Sequence, residues 1–555
     1  MADRVSGADA FLEQLVAAGV EWIFGNPGTT EQPLLQRLPN YPQIGFIVAL
    51  HESVAVAAAE GYARASGKIG VVELHAGPGL GNGMGMLYNA AEGRTPLLVY
   101  VGQSEQSGLY LQPTLSGDLV AQVHPIAKWA TEIRTADEIP QVIRRAIKVA
   151  MTDPCGPVVV SVPMDIMSAE CSAPVVVPSL IDNRVRPSSA SVAAATDVLA
   201  AAERPVILVG DGVARADALD EVGEIAHLLG APIYGAFMSQ TCVHPDEPLN
   251  AGRMPSIDAA DAERSLRDYD SVIAIGTKVL SNVFTRPGLP LGDRHVVHIG
   301  LDQWELGKNQ PATIVYGDER ATIRELIDGL APRLAPDEDR IAGRREREVN
   351  RIAGAKLRAR EADRQRWDEH PMTPERAASE LAARMPSDAI LVDESLTAYG
   401  AVGRYFRFNP GGWFRLRGGG IGAGMPLPIG IQLARPDRRV VSLVGDGSSL
   451  YTITSMWTAA HHQLPIVWVI LNNASYRILK ENVRHDGLDS ESADQLVGAN
   501  LTDPLLDFVS IARGMGVLAR RVTDPNEVGE ALDDALRHRQ PYLLDVVISG
   551  RLSSS

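Results

Sequence analysis

Gly445-Asp446-Gly447 and Asn472-Asn473 are separated by 24 residues and could together hold one small cation. One carboxylate, one amide oxygen and a backbone carbonyl form an all-oxygen donor set. Such a set suits Mg²⁺, which leaves further positions to water and ligand phosphates. Glu52, in the corner Leu50-His51-Glu52, is a second candidate. A carboxyl buried there against an apolar ligand could share its proton near neutral pH. His75 follows the apolar run Ile69 to Leu74, where it could simply cap a strand. Gly79-Leu80-Gly81, with Glu105 beyond the next strand, could instead cradle a dinucleotide. That alternative leaves the Asp446–Asn473 pair without a task.

The elements around these residues decide whether they can meet. Val440 to Val444 is a β-branched run ending at the Gly445 turn, and Ile466 to Leu471 is a second one ending at the asparagines. The spacing predicts one helix over Ser449 to His462, stopped before Pro465. A strand–helix–strand unit of this length has parallel strands and a right-handed crossover. Both motifs then emerge at carboxyl ends, where open α/β sheets bind ligands. As neighbours the strands would lie roughly 4.8 Å apart, close enough for one shared ion. The chain carries its own control in Gly210-Asp211-Gly212, which also follows a strand. Met238 stands 27 positions after Asp211, where an asparagine pair would be needed. That copy reads as structural.

Strand–helix alternation continues along the chain, so the expected fold is α/β, with three doubly wound parallel-sheet domains. Their expected bounds are 1–170, 188–332 and 371–550. The Pro- and Val-rich stretch 173–187 reads as a linker, and the charge-dense stretch 333–370 as a solvated helix or linker. The net charge of −16 argues against nucleic acid as a partner. No apolar run is long enough to span a membrane, and the N-terminus has no basic-then-apolar signal. Three scattered cysteines, Cys155, Cys171 and Cys242, fit neither a disulfide framework nor a zinc site. A cytoplasmic setting is expected.

Several matches accumulate around these residues: Phe24-Gly25-Asn26-Pro27-Gly28, Leu50-His51-Glu52, His75, the glycine stretch 77–85, Gly418-Gly419-Gly420-Ile421-Gly422 and the Asp446–Asn473 pair. Together the set resembles the thiamine-diphosphate enzymes, in their benzoylformate decarboxylase-like branch, over nearly the whole chain. The resemblance implies pyrimidine-binding, middle and diphosphate-binding domains in that order. It further implies that Asp446, the Asn473 side chain and the Ser475 main-chain oxygen hold Mg²⁺ against the diphosphate. Gly447 and Ser448 would line the phosphate. Glu52 would hydrogen-bond N1′ of the aminopyrimidine, Gly419 would offer its carbonyl to the 4′-amino group, and Ile421 would wedge the cofactor into a V. His75 would relay protons over the substrate, with Thr29 at a position where relatives carry a substrate-contacting serine.

The implied activity is non-oxidative decarboxylation of a 2-oxo acid to an aldehyde, with carboligation open. Acetolactate-synthase-like carboligation, a nicotinamide-dependent oxidoreductase and a catalytically silent cofactor-binding regulator are the alternatives. The family further implies a homodimer or dimer of dimers with sites between chains. The chain departs from the pattern in three places. Arg415 stands where an aromatic residue encloses the phenyl ring of benzoylformate. Ile478 and Asn482 occupy the helix that presents small and aromatic residues to substrate. Ser281 to Thr285 lacks the middle-domain histidine. Arginine is costly to bury without an anion, so Arg415 faces either solvent or an anionic substrate group.

Overall fold

A computed structural model describes residues 5–236, 238–254, 259–279, 288–485, 487 and 489–552. The segment 281–285 lies outside the described residues. The chain divides into one unit of Met1–Ile181, Glu369–Tyr399 and Leu416–Ser555, and another of Asp182–Asp368 and Gly400–Arg415.

The first unit contains two parallel sheets. One has the spatial order Gly45–Val48, Trp22–Gly25, Gly70–Leu74, Leu97–Gln103, Pro157–Pro163, Trp129–Glu132. Its chain order reverses between Trp22–Gly25 and Gly70–Leu74, the crevice where such sheets take ligands. The central strands are buried on both faces, which explains why Val and Leu dominate them. The helix Glu52–Ser66 follows the edge strand Gly45–Val48. His51 Nδ1 accepts from Ser53 N at its start, and Gly67 ends it in the left-handed region at φ 73°.

The other sheet places Ile390–Glu394, Val440–Gly445, Val467–Asn472, Tyr542–Val547 and Leu518–Val522 side by side, all parallel. Gly445 is in register with Leu471, so the two motif-bearing strands are indeed neighbours. The single expected helix between them is split into Asp446–Leu450 and Ser455–His461. Hydroxyl side chains explain the break. Ser449 and Ser455 donate to the Asp446 and Thr452 carbonyls at 2.7 Å each, and Thr452 Oγ1 donates to Gly422 O. Such bonds compete with a continuous helical ladder.

The second unit carries one parallel sheet, ordered Asn250–Arg253, Ile233–Gly235, Pro205–Val209, Ser271–Ile275, His295–Gly300, Thr313–Tyr316. Residues 173–187 contain neither helix nor strand, whereas the charged stretch forms the helix Glu338–Arg364. That helix is only partly solvated. Arg344 is buried, and its two Nη nitrogens donate to the carbonyls of Ala202, Glu203 and Leu229, which engages most of its guanidinium through main-chain oxygens.

Candidate active site

Two groups of residues in the first unit carry the chemistry, each at the carboxyl end of a sheet. The first lies at the strand-order reversal. Glu52 opens its helix buried, and two amides reach it: Asn82 Nδ2 donates to Oε2 at 3.0 Å, and Asn26 Nδ2 to Oε1 at 3.4 Å. His75 directly precedes the helix Ala76–Glu92, held by a pair that sequence reasoning missed. Its Nδ1 is 2.8 Å from Glu31 Oε2 and 3.1 Å from Thr30 Oγ1, and Thr30 Oγ1 donates to Glu31 Oε1 at 2.5 Å. Thr29 is exposed, one position ahead of the hydroxyl that approaches His75. Burial raises the Glu31 carboxyl above its usual range, against the lowering effect of Thr30 and His75.

The second group is the oxygen set. Asp446 is buried, and its Oδ2 accepts from the N–H groups of Asn473 and Ser475 at 3.1 and 3.3 Å. Its Oδ1 accepts from Gly447 N at 2.8 Å, and Asn473 Oδ1 accepts from Ser475 N at 2.9 Å. Desolvation pushes the Asp446 carboxyl up to about 6, and the surrounding N–H groups only partly offset it. A divalent cation would relieve that cost. Among the described residues no cluster of three or more His, Cys, Asp or Glu side chains could hold a metal. A cation here must therefore draw on amide and main-chain oxygens, and Asn473 and Ser475 supply both kinds beside the carboxylate. The donor set fits Mg²⁺.

Backbone strain marks both groups. Ala76, next to His75, has φ 49°, and Ala474, between Asn473 and Ser475, has φ 53°. Each costs on the order of 1–3 kcal/mol and persists only where the surroundings impose it.

The glycine loop is tied by a residue that the sequence did not single out. Glu394 ends its strand fully buried, accepting from Gly422 N at 2.5 Å and from Gly424 N, with Ser448 as a third partner. Desolvation holds its carboxyl up at about 7 despite those bonds. Gly422 has φ 103°, and a Cβ there would stand 2.6 Å from Tyr451 Cβ, so only glycine fits. Gly419 is exposed and Ile421 half-buried beside this clamp. Asn89 pins the loop from the other side, donating to Gly420 O at 2.7 Å and accepting from Gly420 N at 3.0 Å.

The helix Arg477–His485 is anchored by buried Arg477, paired with Glu481 at 2.9 Å, and by buried Lys480, whose Nζ lies 2.7 Å from Asn500 Oδ1. Ile478 and Asn482, four residues apart and half-buried, share another face. In the second unit Arg415 is buried, which removes the solvent-facing alternative, and its guanidinium lies 5.6 Å from the Trp413 ring centroid. Asp211 supports a turn, its Oδ1 accepting from Gln240 N at 2.9 Å.

The chain belongs to the thiamine pyrophosphate enzymes, among their 2-oxo acid decarboxylases and carboligases. The family's N-terminal TPP binding domain matches residues 5–122, its central domain 192–326 and its C-terminal TPP binding domain 397–546. The chain is similar to benzoylformate decarboxylase of Pseudomonas aeruginosa, with 31% identity over 97% of this chain and 98% of that protein. It is 26% identical to the acetolactate synthase isozyme 3 large subunit of Escherichia coli K12, over 99% and 96% of the two chains. The solved thiamine diphosphate-dependent 4-hydroxybenzoylformate decarboxylase of Rhodococcus jostii RHA1 superposes with TM-score 0.85 at 27% identity, covering 98% of this chain and 99% of that one. The nicotinamide alternative falls with this result. Gly79 to Gly81 are turns of the helix Ala76–Glu92 rather than a phosphate loop.

Proposed function

We propose that the protein is a Mg²⁺- and thiamine-diphosphate-dependent lyase that decarboxylates a 2-oxo acid to an aldehyde, with carboligation as a secondary outcome. The observation that carries this reading is the pairing of two sites. A buried glutamate and a carboxylate-held histidine lie at one sheet's carboxyl edge, and an all-oxygen cation set lies at the other's. When bound, thiamine diphosphate supplies the carbon nucleophile and electron sink.

The chain's own residues do the rest. Asp446, Asn473 and the Ser475 carbonyl would hold Mg²⁺, with Gly447 and Ser448 along the diphosphate. Glu52, steadied by Asn26 and Asn82, would hold and exchange a proton at N1′ of the pyrimidine. Gly419 and Ile421 would shape the cofactor, and proximity would then supply part of the activation. With its Nδ1 engaged by Glu31, His75 would present Nε2 to the substrate as proton donor and acceptor. Thr29 would contact the substrate carboxylate or hydroxyl, and Ile478 and Asn482 would border its side chain.

The donor acid is read from Arg415. A buried guanidinium in place of an aromatic residue favours a 2-oxo acid with a second, anionic group over benzoylformate. Measuring CO₂ release across 2-oxo acids with apolar, aromatic and anionic side chains tests this directly. In Arg415→Phe, kcat/KM is expected to move from anionic towards aromatic substrates by roughly tenfold or more, the size of one lost charge-assisted contact. Equal losses on every substrate would make Arg415 a structural residue packed against Trp413.

We also infer a homodimer, or a dimer of dimers, in which Glu52 of one copy serves the cofactor held by Asp446 and Asn473 of another. Mixing inactive Glu52→Gln chains with inactive Asp446→Ala chains should then give mixed dimers with one intact site, restoring activity towards half the normal value. Mixed dimers without activity, and without an intact occupied site, would place each site within one chain.

A further inference from the structure

Behind His75, the sheet holds a carboxyl group that the proposed reaction does not use. Glu73 lies in the strand Gly70–Leu74, fully buried, and among the described residues neither of its oxygens has a hydrogen-bond partner. Its register partners are Gly25 on one side and Tyr100 on the other, so the three share one face of the sheet. That face is apolar. Val71, Leu98, Val158 and Val160 belong to the same core, and the Phe11 ring lies 5.2 Å from that of Tyr100. The Tyr100 hydroxyl is likewise buried and unpartnered among the described residues.

The chain makes room for this carboxyl at a specific position. A Cβ on Gly25 would stand 2.0 Å from Glu73 Oε2, so a longer residue at 25 and a glutamate at 73 exclude one another. Glu31 is accommodated in the same way, because a Cβ on Gly102 would stand 1.8 Å from its Oε1. Two strands thus each give up a side chain to seat a buried acid. The titratable groups facing Glu73 are Glu31 from the turn Thr29–Glu31, Glu52 from its helix, Tyr100 from the adjacent strand and His75 two residues along. No cation is set against Glu73 among these groups unless His75 is protonated. Both anionic neighbours oppose its ionisation.

Glu31 and Glu73 differ in what stabilises a charge. Glu31 has the Thr30 hydroxyl and His75 Nδ1 within hydrogen-bond reach, whereas Glu73 has neither. We propose that Glu73 is a neutral acid buried behind His75, confining the negative charge of the Glu31–Glu73 pair to Glu31 and so fixing the proton of His75 on Nδ1. Glu73 and Glu31 are then positioning residues, and Nε2 of His75 is left for the substrate. The tautomer is set by the partner of the other ring nitrogen, as in any carboxylate-held imidazole. The role assigned to Nε2 rests on the function proposed above, but the protonation state of Glu73 does not. The direction of its shift agrees: desolvation first, then the charges of Glu31 and Glu52, hold the carboxyl well above the usual range.

The sign of the stability effect follows. In the unfolded chain Glu73 ionises near 4.5, and in the folded chain only at higher pH. Between those values the folded state binds the extra proton, so stability falls as pH rises, about tenfold in the folded-to-unfolded ratio per pH unit. Glu73→Gln lacks the titration and keeps the size. Its Tm should meet that of the parent near pH 4.5, apart from a constant offset, and rise progressively above it towards pH 8. Against a Glu31→Gln background the divergence should level off at lower pH, because one opposing charge is gone. The parent at pH 8 should show a protonated-carboxyl carbonyl stretch in the infrared that Glu73→Gln loses. In ¹⁵N-histidine spectra, His75 should carry its proton on Nδ1 in the parent and in Glu73→Gln, and lose that preference in Glu31→Gln. Should Glu73→Gln not fold, Glu73→Met, similar in length and also uncharged, takes its place. A Tm difference independent of pH, or an infrared spectrum unchanged by the substitution, overturns the proposal. None of these readouts requires turnover, so an inactive protein with a neutral Glu73 would defeat the proposed reaction and leave this inference standing.

Discussion

Asp446→Ala is expected to weaken binding of thiamine diphosphate with Mg²⁺ by more than about 100-fold in calorimetry. Uncompensated charge at a buried site costs about 3–5 kcal/mol when one partner is removed, and each 1.4 kcal/mol is about tenfold in affinity. The change deletes the only carboxylate of the oxygen set. It also frees the Gly447, Asn473 and Ser475 amides that converge on it, so the loop loses its shape together with its charge. Asp211→Ala is the matching control, since that aspartate follows an equivalent strand in a Gly-Asp-Gly turn and accepts from Gln240 N. It should bind normally. Equal affinity in the Asp446 variant would end the metal assignment.

Glu52→Gln is expected to retain the fold and most of the cofactor affinity, yet to slow proton exchange at the cofactor's C2 by roughly 10²- to 10⁴-fold, the range of one general acid–base group. The amide keeps the size, can accept from one of Asn26 and Asn82 and still offers a hydrogen bond, but it has no proton to trade. Acid-quenched hydrogen–deuterium exchange followed by NMR reads that step apart from substrate binding. Exchange at the parental rate would leave Glu52 as a helix-start carboxylate with no part in activation.

What is legible in the chain and what is not divide along physical lines. Central strands such as Val440–Gly445 and Pro157–Pro163 are buried on both faces, so valine dominates them and a single serine interrupts each. The edge strands Trp129–Glu132, Asn250–Arg253 and Thr313–Tyr316 escape sequence reading, because half-exposed edges carry mixed polar sequences. The oxygen set is legible because both its parts follow central strands. Glu31, Thr30, Asn82 and Glu394 are not, since their roles depend on contacts between segments far apart in the chain. His75 pairs with Glu31 44 residues away, and Gly422 with Glu394 28 residues away. No local pattern encodes such pairs. For Arg415 the sequence leaves exposure open, and burial removes the solvent-facing orientation.

The Glu394 clamp has a thermodynamic corollary. Its carboxyl, with Asn89 opposite, fixes the Gly418–Gly424 stretch using only groups of the protein. Ordering a loop at the moment of association normally subtracts from affinity. Here that entropy was surrendered when the chain folded, and a ligand entering the cradle meets a surface already set.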